Sequence, residues 1–155
     1  MGLFDFLFTR QKSKPKTKFQ SRPGPTPLPV RKRVFISFAV EDNEYRGHLV
    51  SQAKQNRSPF YFIDMSVKRP WDEAEWRKKC RSRIKGCDGV IVLLSNYTYH
   101  ASGARWEMKC ANETGVKMIG MRIRKSDTSA VPPELEGKPV ITWNWNNLER
   151  FVNSL

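Results

Sequence analysis

The seven-residue run GVIVLLS, residues 89–95, constrains the fold of this chain more than any other feature of its sequence. It holds no polar side chain before Ser95, and its apolar positions do not alternate with polar ones. A strand with this pattern is buried on both faces, which is typical of the central strand of a parallel sheet. Parallel strands are joined by long crossovers, usually helices. The rest of the chain is therefore expected to alternate between strands and helices.

Four further apolar runs predict the other strands of such a sheet. They are RVFISF (33–38), PFYFID (59–64), VKMIGMRI (116–123) and PVITW (139–143). Helical patterns lie at 42–56, at 72–84, from residue 102 onward and through Leu148, Phe151 and Val152. In the second helix, the spacing of Trp76, Cys80 and Ile84 assigns all three to the core. This alternation predicts an α/β fold with a flavodoxin-like, doubly wound, five-stranded parallel sheet.

Residues 1–33 differ from residues 34–155, and only the latter are expected to form the folded domain. Nine Lys or Arg and one Asp place +8 of the net charge of +13 in this N-terminal segment. An apolar tip at residues 3–8 precedes basic residues, and prolines at 23, 25, 27 and 29 predict an extended spacer. Such a segment is typical of a membrane-surface contact, here through residues 3–18. A tail that binds a partner, or nothing, explains it equally well.

The three cysteines, Cys80, Cys87 and Cys110, form no C-x-x-C pair and follow no secretory signal. Reduced thiols are typical of a cytoplasmic protein. We therefore expect a cytoplasmic location, peripheral at the inner membrane face if the N-terminal segment contacts lipid. The two histidines, His48 and His100, are too isolated to predict a metal site.

Several common chemistries lack their motif in this sequence. The first predicted strand is followed by SFAVEDNE, which contains neither the G-x-G-x-x-G pattern nor a P-loop. No nucleophile elbow of the form G-x-S-x-G is present. A phosphoacceptor domain requires an Asp after the third strand, whereas this sequence has Ser95 there. Outside the N-terminal segment the charge is only +5, without a basic motif interleaved with aromatic residues, so no specific nucleic-acid partner is expected.

The predicted fold gives a location for a site, because ligands of open α/β sheets bind beyond the carboxyl ends of the strands. Polar and aromatic residues follow several of these ends: Ser37, Phe38, Asp42, Asp64, Trp71, Ser95, Trp106 and Glu107. Some have simpler explanations, since Asp42 suits a helix cap and Trp71 suits a packing position before a helix. The sequence nevertheless predicts that these residues bind a substrate at one edge of the sheet.

Glu107 lies near the start of the helix in SGARWEMKCANETG, residues 102–115. At about 100° per residue, Ala104, Met108 and Ala111 share the stripe that faces the sheet, and Glu107 lies at its border. A carboxylate there can reach a ligand while partly shielded from water. Acidic residues are also favoured in a first turn by the helix dipole. The pattern alone favours neither a ligand-binding role for Glu107 nor a role in stabilising the start of the helix.

Three stretches of this sequence, RVFISFAVED, GVIVLLSNYT and ARWEMKCANETGVKMIGMRI, resemble Toll/interleukin-1 receptor (TIR) domains. The resemblance covers about residues 33–152 and is strongest to the bacterial TIR-like group of the Thoeris anti-phage defence systems. It implies the TIR fold and cleavage of the nicotinamide–ribose bond of NAD, with NAD as substrate and no further cofactor. The product would be ADP-ribose, a cyclic isomer or another ADP-ribosyl conjugate.

The resemblance also implies roles for individual residues. The family's catalytic glutamate falls on Glu107, while Ser37 and Phe38 match the region that lines the nucleotide site. Trp71 matches a loop that can close over that site, and Trp106 would lie beside the ribose. The partners it implies are a signal-sensing effector protein, a phage-derived activator and a second copy of the chain. Many TIR domains are adaptors without catalytic activity, so a scaffolding module stays the alternative.

Overall fold

The computed structural model of this chain describes Gly24 and residues 31–55, 60–63 and 73–155. Its strands are β1 (Lys32–Ser37), β2 (Phe60–Ile63), β3 (Gly89–Leu94), β4 (Lys117–Arg122) and β5 (Val140–Thr142). Its helices are α1 (Asn43–Gln55), α2 (Glu73–Lys85), α3 (Ser102–Thr114) and α4 (Trp145–Asn153). Short 3-10 turns span Val40–Asp42, Thr98–His100 and Pro133–Leu135. Each strand and helix predicted from the sequence is present.

The five strands form one parallel sheet in the order β2-β1-β3-β4-β5. The order reverses between β1 and β3, which pair from Val34 opposite Gly89 to Ser37 opposite Val92. All six residues of β3 are buried, as the run without polar residues predicts. The predicted fold class is therefore confirmed, and its switch point lies at the carboxyl ends of β1 and β3.

Two apolar cores cover the two faces of the sheet. On one face Phe35, Val90 and Val92 pack with residues of α2 and α3, and on the other Val34 and Ile91 pack with residues of α1 and α4. Alternate residues of β1 and β3 point to opposite faces, so each strand contributes to both cores. Burying a side chain of this size contributes about 2 kcal/mol, and the two cores together fix the carboxyl edge of the sheet.

Helix α3 carries Glu107, and several contacts hold it in place. Ala104, Met108 and Ala111 are buried against the sheet, as the helical phase predicts. The helix ends at Gly115, whose φ of 71° lies in the left-handed region that favours glycine. Both carboxylate oxygens of Glu134 accept hydrogen bonds from Arg105, at 2.9–3.1 Å. The first turns of α3 are therefore fixed to the sheet and to the loop before β5.

The N-terminal segment lies almost entirely outside the described residues, including residues 3–18. Lys32 and Arg33, which the sequence groups with that segment, belong to β1. Among residues 31–55, 60–63 and 73–155, no helix combines the length and the apolar character needed to cross a bilayer.

Candidate active site

Glu107 lies in the second turn of α3 and points toward the end of β1. Its side chain is 9% exposed, so it is more deeply buried than a position at the border of the stripe predicts. The hydroxyl of Ser37, the last residue of β1, donates a hydrogen bond to Oε2 of Glu107 at 2.6 Å. Ser37 itself has no exposed surface. The sheet and the helix thus bring together two residues that lie seventy positions apart.

Burial raises the pKa of Glu107 to about 8, while the hydrogen bond from Ser37 acts in the opposite direction. Desolvation disfavours the charged form of a carboxyl group, and one hydroxyl compensates only part of that cost. At pH 7 the neutral form of Glu107 therefore predominates when no ligand is bound. A carboxyl group in this state loses its proton readily once a positive charge comes near.

Ser37 can serve either protonation state of Glu107. Its Oγ lies 2.6 Å from Oε2 of Glu107 and 3.3 Å from the carbonyl oxygen of Ala104, but a hydroxyl has a single hydrogen to donate. With Glu107 ionised, Ser37 donates to the carboxylate. With Glu107 protonated, the carboxyl group donates to Ser37 Oγ, and Ser37 then donates to Ala104. Neither state leaves the hydroxyl of Ser37 without an acceptor.

A cavity of about 600 Å³ opens in front of Glu107 at the carboxyl edge of the sheet. Phe38 and Trp76 supply aromatic walls, and residues 100–104 supply the part formed by the end of the turn Thr98–His100 and the start of α3. Glu41, which is exposed, is the second carboxylate of its lining. A concave, largely apolar site with a few polar groups is typical of small-molecule binding. The cavity thus combines aromatic walls with one buried and one exposed carboxyl group.

The residues predicted from the sequence divide between this cavity and a second one. Phe38 and Glu107 line the first, and Ser37 supports Glu107 from behind without lining it. Asp42 and Ser95 line a separate cavity of about 520 Å³. Glu41 lines both, so the turn Val40–Asp42 lies between them. The predicted residues thus divide between two neighbouring cavities, and their roles in binding a substrate stay predictions.

Asp42 and Ser95 are paired with each other. The hydroxyl of Ser95 donates to Oδ2 of Asp42 at 2.6 Å and accepts from the backbone N–H of Tyr97 at 3.1 Å. Asp42 is 2% exposed, and burial raises its pKa, as do the nearby charges of Glu41 and Asp127. These bonds join the turn after β1 to the loop after β3.

Trp106 packs away from the Glu107 cavity. Its ring lies against the core between α2 and α3. Cζ of Arg77 lies 4.8 Å and Nζ of Lys109 lies 5.7 Å from the ring centroid. Its buried indole Nε1 has no hydrogen-bond partner among the described residues. Trp106 is not part of the lining of the cavity, and its place beside the ribose stays a prediction. Asp64 and Trp71 lie outside the described residues.

The assignment of Trp76 to the core holds in part, since its side chain packs against the core and also lines the Glu107 cavity. Its spacing with Cys80 and Ile84 assigns it to the core, and both of those residues are fully buried. Trp76 is only partly buried and lines the Glu107 cavity. One signal pointed to this place: Trp76 lies in the first turn of a helix that follows a strand, and such helices begin at the carboxyl edge of the sheet.

The described residues contain no group of three or more His, Cys, Asp or Glu side chains able to hold a metal ion.

A family model described as the TIR-like domain of Thoeris protein ThsB matches residues 35–128, which include both Ser37 and Glu107. A search of curated proteins found no match.

Three solved structures show the same fold. The TIR domain of the Toll-related receptor TRR-2 from Hydra magnipapillata has a TM-score of 0.59 at 17% identity, covering 77% of this chain and 97% of that one. The SEFIR domain of interleukin-17 receptor B has 0.57 at 12% identity, covering 81% and 94%. A 2-deoxyribosyltransferase from Leishmania mexicana has 0.57 at 15% identity, covering 79% and 97%. Identities this low show similarity of fold alone.

Proposed function

The chain belongs to the Thoeris ThsB family of TIR-like domains, and we propose that it cleaves the nicotinamide–ribose bond of NAD to make an ADP-ribose-derived signal in anti-phage defence. One observation carries this proposal. Glu107, buried and bonded to Ser37, lies in the wall of a cavity with aromatic sides at the carboxyl edge of the sheet. NAD is the substrate, and the reaction requires no further cofactor.

Cleavage of the nicotinamide–ribose bond requires a group that stabilises positive charge on the ribose, and Glu107 supplies it. When the bond between C1′ of the ribose and the nicotinamide nitrogen breaks, its electron pair goes to the nitrogen. The positively charged pyridinium thereby becomes neutral nicotinamide, so the leaving group needs no proton from a general acid. Positive charge then develops on the ribose, and a carboxylate beside it lowers the energy of that oxocarbenium-like state. Water, or a hydroxyl group of the same molecule, completes the reaction and loses a proton.

The protonation state of Glu107 is coupled to binding in this proposal. The pKa of about 8 keeps Glu107 largely neutral in the empty cavity. A pyridinium ring placed beside it favours the ionised form, because an opposite charge within a few ångströms lowers the pKa of a carboxyl group. Ser37 then donates its hydrogen bond to the carboxylate. NAD binding is therefore expected to release a proton, and isothermal titration in buffers of different ionisation enthalpy measures that release.

The test is nicotinamide release from NAD by the purified chain, with and without lysate from phage-infected cells as the source of an activator. Mass spectrometry identifies the second product as linear, cyclic or conjugated ADP-ribose. The matched control is Glu107→Gln, which keeps the shape of the side chain and an oxygen for Ser37. We expect turnover by the wild-type chain to exceed that of Glu107→Gln by about 100-fold or more.

A scaffolding module predicts the opposite results. It would release no nicotinamide under either condition, and Glu107→Gln would protect cells from phage as well as the wild-type chain does. Full turnover by Glu107→Gln would overturn the assignment of Glu107 while leaving an enzyme to be explained.

The proposed signal needs partners, and these are part of the proposal. A separate effector protein binds the ADP-ribose-derived product, and a phage-derived component activates the enzyme. Oligomers of the chain and contact of residues 3–18 with the membrane surface are proposed as well. Sedimentation with anionic liposomes tests the last of these, since deletion of residues 1–20 removes the apolar tip and most of the basic run and should leave the protein in the supernatant.

A further inference from the structure

Trp76 of α2 forms part of the wall of the Glu107 cavity. A Cβ atom placed on Gly103 would lie 3.7 Å from Cη2 of Trp76, so the six-membered ring of the indole reaches the first turn of α3. Gly103, Trp76 and Glu107 all line the same cavity. Glu107 follows Gly103 by four residues, which is about one helical turn. The indole of Trp76 therefore reaches the first turn of α3, and Glu107 lies in the next turn of the same helix.

Gly103 explains why the indole remains accessible from the cavity. A methyl group on this residue would reach ordinary van der Waals contact with Trp76, so only a side chain longer than that of alanine would compete for the space beside the ring. A residue no larger than alanine at this position therefore keeps the cavity open between the indole and the start of α3.

The ring that has to lie near Glu107 during the reaction is the nicotinamide ring. It is attached directly to C1′ of the ribose, the carbon on which positive charge develops beside the carboxylate. A ligand ring about one helical turn from Glu107 is therefore the pyridinium rather than the distant adenine. Pyridinium is both aromatic and positively charged, and indole is the side chain that attracts such a group most strongly through its face.

We propose that Trp76 contacts the substrate and holds the pyridinium ring of NAD by stacking, and that Gly103 leaves the space for that ring. This inference rests on the proposed function, since it takes NAD as the ligand of the Glu107 cavity. It assigns the recognition of the leaving group to α2, whereas the charge-stabilising group comes from α3. Trp76 is then a determinant of affinity for oxidised nicotinamide compounds.

Binding to the Glu107→Gln variant tests this, because slow turnover leaves NAD intact during a titration. The probes are NAD and ADP-ribose, which lacks the nicotinamide ring. Adding Trp76→Ala to this variant should weaken NAD binding about tenfold, given the usual contribution of one stacked base, and change ADP-ribose binding by less than about twofold. Trp76→Phe, which retains an aromatic ring, should recover much of the loss and also covers the case in which the alanine variant fails to fold.

Two further variants sharpen the result. Gly103→Ala should bind NAD as the parent does, whereas Gly103→Leu should weaken NAD binding to the extent that Trp76→Ala does. Trp145→Phe is the control for loss of an indole, because Trp145 stacks on Phe60 in the core on the other face of the sheet. Quenching of tryptophan fluorescence by NAD should persist in Trp145→Phe and diminish in Trp76→Phe.

Equal losses of NAD and ADP-ribose affinity in Trp76→Ala, or no loss of either, would overturn the proposal for Trp76. Its failure is distinguishable from failure of the proposed function. A wild-type chain that releases nicotinamide while Trp76→Ala binds NAD normally refutes only the stacking. A wild-type chain that neither binds NAD nor releases nicotinamide refutes both.

Discussion

Two buried carboxyl groups at the same edge of the sheet each accept a hydrogen bond from a serine, but the rest of their surroundings differ. Glu107 accepts a hydrogen bond from Ser37 at 2.6 Å, and Asp42 accepts one from Ser95 at 2.6 Å. Ser37 is the last residue of β1, and Ser95 directly follows β3. In both pairs burial raises the pKa of the carboxyl group and the serine lowers it.

The difference lies in what else surrounds each pair. Glu107 faces an aromatic-walled cavity, and desolvation alone raises its pKa. The pKa of Asp42 is raised in addition by two neighbouring carboxylates, and Ser95 is further tied to the backbone N–H of Tyr97. The Asp42 pair therefore joins two loops, whereas the Glu107 pair holds an ionisable group ready beside an open space. Burial of a carboxyl group indicates chemistry only where the space in front of it can hold a substrate.

The largest expected effect separates the two carboxyl groups by activity. Glu107→Gln should lower the rate of nicotinamide release about 100-fold or more, because the amide cannot stabilise the developing positive charge. Asp42→Asn should change kcat by less than about threefold, since electrostatic stabilisation comes from the other cavity. Initial rates at saturating NAD compare them. A large loss of kcat in Asp42→Asn would join the two cavities into one site, and a change confined to KM would give Asp42 its predicted role in binding.

The next effect separates the two serines by pH dependence. Ser37→Ala removes a hydrogen bond that favours ionised Glu107, so the pKa of Glu107 rises further above about 8. We expect kcat/KM at pH 7 to fall about tenfold, the value of one hydrogen bond to a charged group, and the pH profile to move to higher pH. A Ser37→Ala variant with lower activity but an unmoved profile would make Ser37 structural rather than a positioning residue. Ser95→Ala is the matched control and should leave the profile in place.

The third effect concerns stability. Glu107 has a pKa of about 8 in the folded chain and 4.5 as its ordinary value, so the unfolded chain releases this proton first. Between these two pH values the unfolded state binds fewer protons, and the free energy of unfolding falls as the pH rises. Because glutamine does not titrate, Glu107→Gln avoids this fall in the free energy of unfolding. It should be more stable than the wild type at pH 8, by at least about 1 kcal/mol. Urea unfolding at pH 5 and pH 8 measures it, and no gain at pH 8 would mean that Glu107 is not desolvated as described.

The smallest expected effect belongs to the pair that joins the loops. Ser95→Ala removes the hydroxyl that bonds Asp42 and accepts from Tyr97, which should lower the free energy of unfolding by about 1 kcal/mol. Nicotinamide release should be unchanged within experimental error. Chemical denaturation and the NAD assay on the same preparation give both numbers. Unaltered stability would show that the Asp42 pair does not hold these loops together.

Most of the fold could be predicted because its signals are local. The unbroken apolar run of β3 requires burial on both faces, and the period of Ala104, Met108 and Ala111 fixes the inward face of α3. The rule that ligands bind beyond the carboxyl ends of parallel strands then placed Glu107 and Phe38 at one edge. Those two residues line one cavity.

The rest of the site could not be read from spacing. Asp42 follows the same strand as Ser37, yet the turn Val40–Asp42 brings it to the second cavity, where Ser95 donates a hydrogen bond to it. Trp76 fits the apolar stripe of α2 and also lines the Glu107 cavity, where its ring lies next to Gly103 of a different helix. Such outcomes depend on how elements pack against each other, which a periodic pattern does not encode.

By itself the sequence determined the sheet, the order of its elements and the edge at which Glu107 stands, since each follows from the burial that local patterns demand. Only the tertiary structure decided that Glu107 is desolvated, that Ser37 is its partner and that Trp76 shares its cavity. The physical reason is that desolvation and hydrogen bonding depend on every atom within a few ångströms. In this chain those atoms come from β1, α2 and α3, which meet only when the sheet is formed.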